Sequence, residues 1–488
     1  MPWAPELVET HSSTLVFLGD RAYKIKKPLD LGFLDFTTVE ARREACHREV
    51  ELNRRLAPDV YLGVADVVGE GGTICDHLVV MRRMPADRRL STLVRAGAPV
   101  DDHLWHVAHL LAAFHSHAER SPLADEIASM PAMRARWQAN TDALLGMDLS
   151  ESDADGVGAI QALADRYLDG RAPLFDQRIA EGRANDGHGD LLADDVFCLE
   201  DGPRILDCLE FDDRLRLGDG LADAAFLTMD LERLGRLDLA DRFLVAYGEH
   251  LGDSWPSSLA HHHVAYRAQV RAKVAAIRAG QDDPDAMASA STLLALARSH
   301  LDEARVRLIL VGGLPGTGKS TLAKALGHAV PGVVLRADEV RKELAGLSSD
   351  QVAPAEFRHG LYDPATTQAT YETMLGRART ALSLGECVVI DASWTSAVWR
   401  AQARDLAVTV HADLVELRCH APVEVAAGRM AARAVAGGDP SDATPAIAAA
   451  MAADADPWPE AVGLDTVADP ATVLRAALAR ISPGTGPR

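Results

Sequence analysis

Residues 305–326, RVRLILVGGLPGTGKSTLAKAL, place an apolar run, a glycine-rich turn and a helix-forming segment in immediate succession. Positions 313–320 match the pattern G-x-x-x-x-G-K-[ST], and the predicted strand before it and helix after it are the context that this pattern needs. A glycine-rich turn lets backbone N–H groups and the positive end of a helix surround phosphate oxygens. The stretch therefore predicts a phosphate-binding loop at the start of a parallel α/β domain.

The polar residues of this loop have separate predicted tasks. Lys319 would reach the outer phosphates of a nucleotide, and Ser320 would ligate Mg²⁺. The loop residues that we expect to bind the nucleotide are Gly313, Gly316, Thr317, Gly318, Lys319, Ser320 and Thr321. An ordinary glycine turn is the alternative, but strand, loop, Lys-Ser pair and helix all coincide here.

The next segment, VVLRADEVRKEL at 333–344, places Asp338 just past a short apolar strand and Arg341 one turn into the following helix. Both would face the phosphate loop in a doubly wound sheet. Asp338 fits a base that accepts a proton from a substrate hydroxyl, although a helix cap is an alternative. Arg341 fits a ligand for an anionic group of the acceptor substrate.

Two later segments carry further charged candidates. Asp391 ends the apolar strand of ECVVIDASW and fits the carboxylate that orients Mg²⁺ and its water. Arg429 and Arg433 stand at i and i+4 on a predicted helix, where they would close over the transferring phosphate. A solvated helix face is the competing interpretation of these two arginines.

The segments GLPGTGKST, RADEVRKEL, VVIDASW and RMAARAVAGGDPSDAT together resemble the P-loop kinases that include gluconate kinase, chloramphenicol phosphotransferase, zeta toxins and polynucleotide 5′-kinase. The resemblance covers about residues 305–480. It implies that Asp338 is the catalytic base and that Arg429 and Arg433 belong to a lid. The motifs do not encode the acceptor.

The chain begins with a different pattern, a predicted hairpin over 14–26 followed by a charged helix over 38–56. Lys24 on the second strand and Glu49 on the helix fit the lysine–glutamate pair that holds nucleotide phosphates in kinases. Lys26 shares the face of Lys24 and is an alternative. A solvated lysine on an edge strand is the simpler interpretation.

Stronger evidence comes from His188-Gly189-Asp190 and the predicted hairpin that follows it. The spacing from Asp190 to Asp207 is close to that between the catalytic loop and the metal-binding aspartate of protein-kinase-like enzymes. Asp190 would be the base, and Asp207 would stand at a strand end with Glu210 beside it. Mg²⁺ would relieve the repulsion within such a carboxylate cluster.

The segments AYKIKKP, HGDLLADDV, ILDCLEFDDRLR and GDGLADAAFL resemble the aminoglycoside phosphotransferase family, which has a protein-kinase-like fold. The resemblance covers about residues 10–300. More narrowly, the whole chain resembles a tandem arrangement of such a domain ahead of a P-loop kinase. It implies structural roles for Asp219 and Asp223.

One position departs from that family. Five residues after Asp190 the family usually has an asparagine that binds the second Mg²⁺, whereas this chain has Asp195 with Asp194 beside it. Aspartate still ligates Mg²⁺ but adds negative charge opposite the nucleotide. Either the site holds its metal tightly or the domain binds a nucleotide without catalysis.

A later helical segment contains a basic pair and a histidine run. Arg267 and Arg271 are i, i+4 neighbours that would bind an anionic acceptor, while pairing with Glu210 or Asp212 is the structural alternative. The run 261–263, three histidines, cannot converge on one ion from a helix, so we expect it on a helix surface.

Length and composition agree with two folded domains. The 488 residues include 48% hydrophobic and 25% charged residues, which is typical of globular proteins. We predict a first domain over 1–300, with an N-lobe to about 84 and a helical C-lobe from about 85, and a second domain over 301–488. The net charge of −21 disfavours nucleic acid and anionic membranes as partners.

The sequence thus predicts an α+β protein-kinase-like two-lobed domain followed by an α/β P-loop NTPase domain with a parallel sheet. We expect a cytoplasmic, ATP-dependent and Mg²⁺-dependent phosphotransferase whose acceptor is a small molecule such as a sugar, sugar acid, amino sugar or aminoglycoside. The six cysteines form no C-x-x-C pair, and no run reaches the length of a membrane span. A first domain that is a regulatory pseudokinase is the alternative, and a polynucleotide 5′-kinase is a third possibility.

Overall fold

A computed structural model describes most of the chain. The described residues are 6–10, 12–30, 35–280, 283, 285–348, 351, 360–436 and 444–481. The chain divides into two compact units, each built from three segments. The first unit comprises Met1–Gln161, Phe175–Trp255 and His262–His300, and the second comprises Ala162–Leu174, Pro256–His261 and Leu301–Arg488.

The first unit opens with a five-stranded sheet of order β1-β2-β3-β5-β4 in which all paired strands are antiparallel. Its strands are β1 (Glu6–Glu9), β2 (Ser13–Leu18), β3 (Arg21–Lys26), β4 (Tyr61–Val68) and β5 (Ile74–Arg82). Helix α1 (Val39–Asn53) begins after Thr38, whose hydroxyl accepts a hydrogen bond from the N–H of Ala41. It packs on the sheet, because Cys46 and Val50 share a buried cluster with Val79 of β5. This arrangement places Lys24 of β3 and Glu49 of α1 on facing elements.

The rest of the first unit is mainly helical, with two small antiparallel ribbons. The helices of this stretch of chain are α2 (Leu90–Arg95), α3 (Asp101–His117), α4 (Pro122–Ala128), α5 (Met130–Leu145), α6 (Glu151–Asp169), α7 (Ala172–Ala180), α8 (Asp213–Arg216), α9 (Gly220–Arg233), α10 (Leu237–Leu251), α11 (Ser257–Ala279) and α12 (Ala286–Glu303). The ribbons pair β6 (Ala184–Asp186) with β9 (Leu217–Asp219) and β7 (Val196–Leu199) with β8 (Gly202–Ile205). The loop that contains Asp190 connects β6 to β7.

Two local predictions for this unit are wrong. The strand predicted to run to Asp207 ends at Ile205, and Asp207 itself has a left-handed backbone with φ 67°. The histidine run was expected on a helix surface, yet His262 and His263 are fully buried because α11 packs inside the unit. The indole N–H of Trp137 lies 3.1 Å from Nε2 of His262, and burial lowers the pKa of His263 to about 4.

The second unit is built on a five-stranded parallel sheet of order β11-β12-β10-β13-β14. Its strands are β10 (Arg307–Gly312), β11 (Gly332–Arg336), β12 (Cys387–Asp391), β13 (Asp413–His420) and β14 (Val462–Asp465). The helices are α13 (Lys319–Ala329), α14 (Ala337–Leu344), α15 (Pro364–Ser383), α16 (Ala397–Thr409), α17 (Val423–Ala436), α18 (Pro445–Ala453) and α19 (Pro470–Ile481). The central strands β10 and β12 are buried along their length, as the continuous apolar runs indicated.

The predicted fold class is confirmed in its architecture: a unit with an antiparallel sheet followed by a helical part precedes an α/β unit with a parallel sheet. In an open parallel sheet, ligands bind beyond the carboxyl ends of the strands where the strand order reverses. Here that edge lies beside β10 and β12, which end at Gly312 and Asp391. No described helix combines the length and the apolar composition that a membrane span requires.

The first unit depends on one buried arginine. Arg178 forms two hydrogen bonds of 2.8 Å with Asp219 and further bonds of 2.8 and 2.9 Å with Asp253. Replacing it by methionine would leave two buried carboxylates without their shared cation, so we expect Arg178→Met to cost about 3 to 5 kcal/mol of stability. Calorimetric unfolding of the full chain measures the loss.

The matched control is Arg242→Met. Arg242 pairs with Asp238 on the surface, where both side chains are largely exposed, so its loss should cost less than about 1 kcal/mol. Equal effects of the two substitutions would contradict the prediction.

Candidate active sites

In the first unit, the buried carboxylate of Glu49 is shared by two strand lysines. Its Oε1 lies 2.9 Å from Nζ of Lys24, and its Oε2 lies 2.7 Å from Nζ of Lys26. Burial opposes ionisation of Glu49, but the two ammonium groups outweigh it and hold its pKa below the usual range. Lys26 also reaches Glu210 at 2.5 Å, whereas Lys24 reaches Asp207 at 2.7 Å. Lys24 therefore joins the helix glutamate to the predicted metal-binding aspartate.

The loop around Asp190 is held by an aspartate of α9. The two carboxylate oxygens of Asp223 accept hydrogen bonds of 2.8 Å from the backbone N–H groups of His188 and Gly189. The ring of His188 lies 2.9 Å from the carbonyl oxygen of Leu206, just before Asp207. These contacts fix the backbone just before Asp190, the predicted base, and just before Asp207, the predicted metal ligand. Asp219, the other predicted structural aspartate, caps α9 and binds Arg178.

Asp190 is ion-paired with Arg271, whose Nη1 lies 3.1 Å from its Oδ2. Burial raises the pKa of Asp190, and the Arg271 guanidinium opposes that shift. The pKa of Asp195 is raised well above its usual range, first by burial and then by the charges of Asp207 and Asp190. The predicted cluster of Asp207 with Glu210 is not formed, because Lys24 pairs with Asp207 and Lys26 with Glu210. Among the described residues, no three or more carboxylate, histidine or cysteine side chains stand close enough together to hold a metal ion.

Arg267 has a different environment from Arg271. Its Nε donates a 2.8 Å hydrogen bond to the carbonyl oxygen of Ala222, and its guanidinium lies 4.0 Å from the ring centre of Phe226. These are packing contacts. The structural alternative for Arg267 and Arg271 was an ion pair with Glu210 or Asp212. Neither carboxylate has that role, since Glu210 binds Lys26 and Asp212 caps α8.

In the second unit, the predicted phosphate-binding loop connects β10 to α13. Gly316 and Gly318 have φ values of 80° and 83°, which favour glycine. A Cβ on Gly316 would lie 2.5 Å from the carbonyl oxygen of Ala426. The residue after β14 also holds the loop, because the hydroxyl of Thr466 donates a hydrogen bond to the carbonyl oxygen of Thr317 at 2.7 Å. The backbone is thus pre-shaped as a cradle for phosphate.

A cavity of about 420 Å³ opens beside this loop. Several predicted site residues line it together, namely Gly313, Lys319, Asp338, Arg341 and Asp391. Asp338 accepts a 2.5 Å hydrogen bond from Arg341. Ser320 is the second residue of α13 and is half-buried. This cavity therefore brings together several of the predicted catalytic residues of the unit.

Asp391 has the character of a cation ligand. Its side chain is almost fully buried, its Oδ2 lies 3.3 Å from Nε of Arg336, and its Oδ1 has no hydrogen-bond partner among the described residues. A buried carboxylate oxygen without a donor is costly unless a cation or water binds it. The hard oxygen ligands that Asp391 and Ser320 offer suit Mg²⁺.

Of the two predicted lid arginines, Arg429 is docked on the phosphate-binding loop. Its Nη2 donates to the carbonyl oxygen of Thr466 at 2.7 Å, and its Nη1 lies 3.5 Å from the carbonyl oxygen of Gly316. Arg433 is one turn farther along α17 and is half-buried. The predicted lid segment continues into 437–443, which lies outside the described residues.

Sequence reasoning missed three residues of this site. Thr466 joins the loop to β14, and Tyr371 and Trp399 line the cavity with stacked rings. Trp399 lies close behind the VVIDASW segment, so the short spacing from Asp391 was an available signal. Thr466 and Tyr371 stand far from any motif, and only the folded chain brings them to the site.

A family model, a curated relative and several solved structures match parts or most of this chain. Residues 308–458 match a family model described as an AAA domain. The uncharacterized protein Rv2004c of Mycobacterium tuberculosis is 44% identical over 458 residues, which cover 94% of this chain and 91% of the relative. A choline/ethanolamine kinase family protein from Mesorhizobium loti is 15% identical over 61% of this chain and 88% of its own, with a TM-score of 0.39. A sugar kinase from Janibacter sp. HTCC2649 is 18% identical over 36% of this chain and 94% of its own, with a TM-score of 0.29.

The glycine cradle gives a direct test. Gly316→Ala forces a Cβ against the Ala426 carbonyl and a strained φ, so we expect at least a tenfold loss of ATP affinity in the second unit. Isothermal titration of the full chain carrying Asp207→Asn, to weaken the first unit, measures it. Gly376→Ala is the control, because a Cβ there meets nothing within 4 Å. Unchanged affinity in Gly316→Ala would contradict the cradle.

Proposed function

This chain belongs to the same family as Rv2004c, and we propose that it is an ATP-dependent phosphotransferase with two modules, each of which uses a carboxylate base. The observation that carries the proposal is the cavity of the second unit. There a phosphate-binding loop, Lys319, Asp338 and the unsatisfied oxygen of Asp391 meet in one small space. These are the groups that transfer of a phosphoryl group to a hydroxyl requires.

In the proposed reaction, Lys319 and the loop N–H groups hold the β- and γ-phosphates of ATP. A carboxylate oxygen of Asp338 accepts the proton of the acceptor hydroxyl as its oxygen forms a bond to the γ-phosphorus. The bond from that phosphorus to the bridging oxygen breaks, and ADP leaves with the electron pair. Catalysis rests mainly on positioning and on charge stabilisation, since the transition state is loose.

Asp391 and Ser320 are the residues that we propose to hold Mg²⁺, which would neutralise the charge that develops on the phosphates. Arg341 orients Asp338 through their ion pair and borders the acceptor space. Arg429 and Arg433 are proposed to stabilise the transferring phosphate. Neither arginine lines the cavity, and Arg429 donates to the carbonyl oxygens of Gly316 and Thr466, so this role requires Arg429 to leave those contacts.

For the first unit we propose the roles of a kinase-like site. Lys24, oriented by Glu49, holds the nucleotide phosphates, and Asp190 is the base. Asp207 and Asp195 are the proposed metal ligands. Arg271 is proposed to hold either the acceptor or Asp190. Arg267 lies on the same helix, and its proposed role is to support Arg271 through its packing against Ala222 and Phe226. The alternative is a pseudokinase that binds a nucleotide and controls the second unit, and it draws support from the extra charge of Asp195.

The proposed acceptors are small molecules, because the net charge of −21 opposes binding of a polynucleotide. We place the activity in the cytoplasm, since all six cysteines are free. The experiment that tests the function most directly is an ATP-consumption screen of the full chain over sugars, sugar acids, amino sugars, aminoglycosides and nucleosides. Loss of the observed turnover in Lys319→Ala would assign it to the second unit.

The base of the second unit is tested by Asp338→Asn. Asparagine keeps the size and the hydrogen bond to Arg341 but does not accept a proton, so kcat should fall by roughly 10² to 10⁴. ATP affinity should stay nearly unchanged, as measured by titration. Glu343→Gln, which makes the same charge change at the exposed end of α14, is the control. A collapse of ATP binding in Asp338→Asn would show instead that Asp338 is structural.

The first unit is tested in a chain whose second unit is silenced by Lys319→Ala. If the first unit transfers phosphate, Asp190→Asn should bind Mg·ATP without transfer, and Asp207→Asn should weaken metal-dependent binding itself. Asp195→Asn removes one charge, so transfer should persist or rise. Nucleotide binding without any transfer would favour the pseudokinase, and absence of both would exclude a kinase-like site.

A further inference from the structure

A stacked aromatic pair forms one wall of the cavity in the second unit. The rings of Tyr371 and Trp399 lie 5.0 Å apart with an angle of 5° between their planes. Tyr371 is fixed from behind, because its hydroxyl accepts a 3.2 Å hydrogen bond from the N–H of Trp394 and lies 3.3 Å from the hydroxyl of Ser393. Trp399 is half-buried and lines the cavity. The wall therefore offers a rigid, flat apolar surface next to the phosphoryl-transfer residues.

Hydroxyl and amide side chains also line the cavity, together with apolar ones such as Pro364 and Met451. Thr367, Gln368, Thr395 and Ser396 line it. Hydroxyl groups both donate and accept hydrogen bonds, and the amide supplies two donors and an acceptor. A sugar ring fits such a site. Its C–H face packs on the aromatic wall, and the hydroxyl groups at its edge take the place of water as hydrogen-bond partners of these side chains.

The charges of the cavity disfavour an acidic acceptor. Its described lining residues include two cations, Lys319 and Arg341, and three carboxylates, Asp338, Asp391 and Asp454. Lys319 faces the nucleotide phosphates, and Arg341 is paired with Asp338 at 2.5 Å. The proposed Mg²⁺ would balance Asp391, so an acidic group on the acceptor would be repelled mainly by the phosphates of ATP and by the carboxylate of Asp338.

We propose that the acceptor of the second unit is an uncharged sugar, stacked on Trp399 and hydrogen-bonded by the hydroxyl and amide side chains of α15 and of the two residues that precede α16. The inference rests on the proposed function of this unit and narrows it, because it removes sugar acids from the candidate acceptors. A cavity of about 420 Å³ suits an acceptor of this size, being near the lower end of the roughly 300 to 1,000 Å³ of small-molecule sites.

The test uses the full chain with Asp190→Asn, so that transfer by the first unit is removed. ATP consumption is measured with matched acceptors that share a ring: neutral hexoses, the corresponding aldonic and uronic acids, the 2-amino sugars, and ribonucleosides. We expect the highest kcat/KM with a neutral sugar and at least tenfold lower values with its acid. A preference for an acid, an amino sugar or a nucleoside would overturn the inference while leaving the phosphotransferase function intact.

The aromatic wall is tested in the same assay with Trp399→Leu. We expect KM for the neutral sugar to rise roughly fivefold to tenfold while KM for ATP stays constant. Trp399→Phe should recover most of the loss, because it restores an aromatic face. Val398→Ala, at an exposed position of the same helix, is the control.

Two results have distinct meanings. Unchanged sugar KM in Trp399→Leu would overturn the stacking role even if a neutral sugar is the acceptor. Absence of ATP turnover with every acceptor, in both the Asp190→Asn chain and the unmutated chain, would instead refute the proposed function, and the inference with it.

Discussion

Buried carboxylates that require a counter-charge or a backbone donor organise the first unit. A carboxylate removed from water is costly unless it is paired and hydrogen-bonded. Glu49 meets this demand with two strand lysines, and Asp223 meets it with two backbone N–H groups of the Asp190 loop. The ion pairs of Glu49 and the hydrogen bonds of Asp223 each join separate elements. The interactions that stabilise these charges therefore also position the candidate catalytic groups. Asp391 of the second unit differs, with one oxygen unsatisfied among the described residues.

In each unit the candidate base is ion-paired with an arginine from a helix. Asp190 binds Arg271 and Asp338 binds Arg341, at 3.1 and 2.5 Å. Such a partner fixes the direction of the carboxylate. At Asp190 the arginine opposes the rise in pKa that burial causes but does not cancel it. In a loose transition state positioning contributes most of the catalysis, so a fixed carboxylate direction matters more than a strong base.

The sequence predicted the parts of the sites that local motifs encode. The phosphate-binding loop, Asp338, Arg341 and Asp391 follow strands of one parallel sheet, and that topology brings them to one cavity. The Asp190–Arg271 pair, the Thr466 bridge and the Tyr371–Trp399 stack join distant segments, so no local pattern encoded them. The buried histidines show the same limit, because helical spacing does not reveal how many neighbours surround α11.

Under the proposed function, the contacts of Lys24 in the first unit would have to change when a nucleotide binds. Lys24 pairs with Asp207 at 2.7 Å, yet in a kinase-like site these two groups serve the phosphates and the metal respectively. One ammonium group cannot stay in that pair and also hold α- and β-phosphates. Binding of the nucleotide together with its metal would separate the pair, because the metal then supplies the positive charge that Asp207 loses. The Lys24–Glu49 contact would remain, because the carboxylate of Glu49 is fully buried and would otherwise lose one of its two cations, whereas Asp207 is half-exposed.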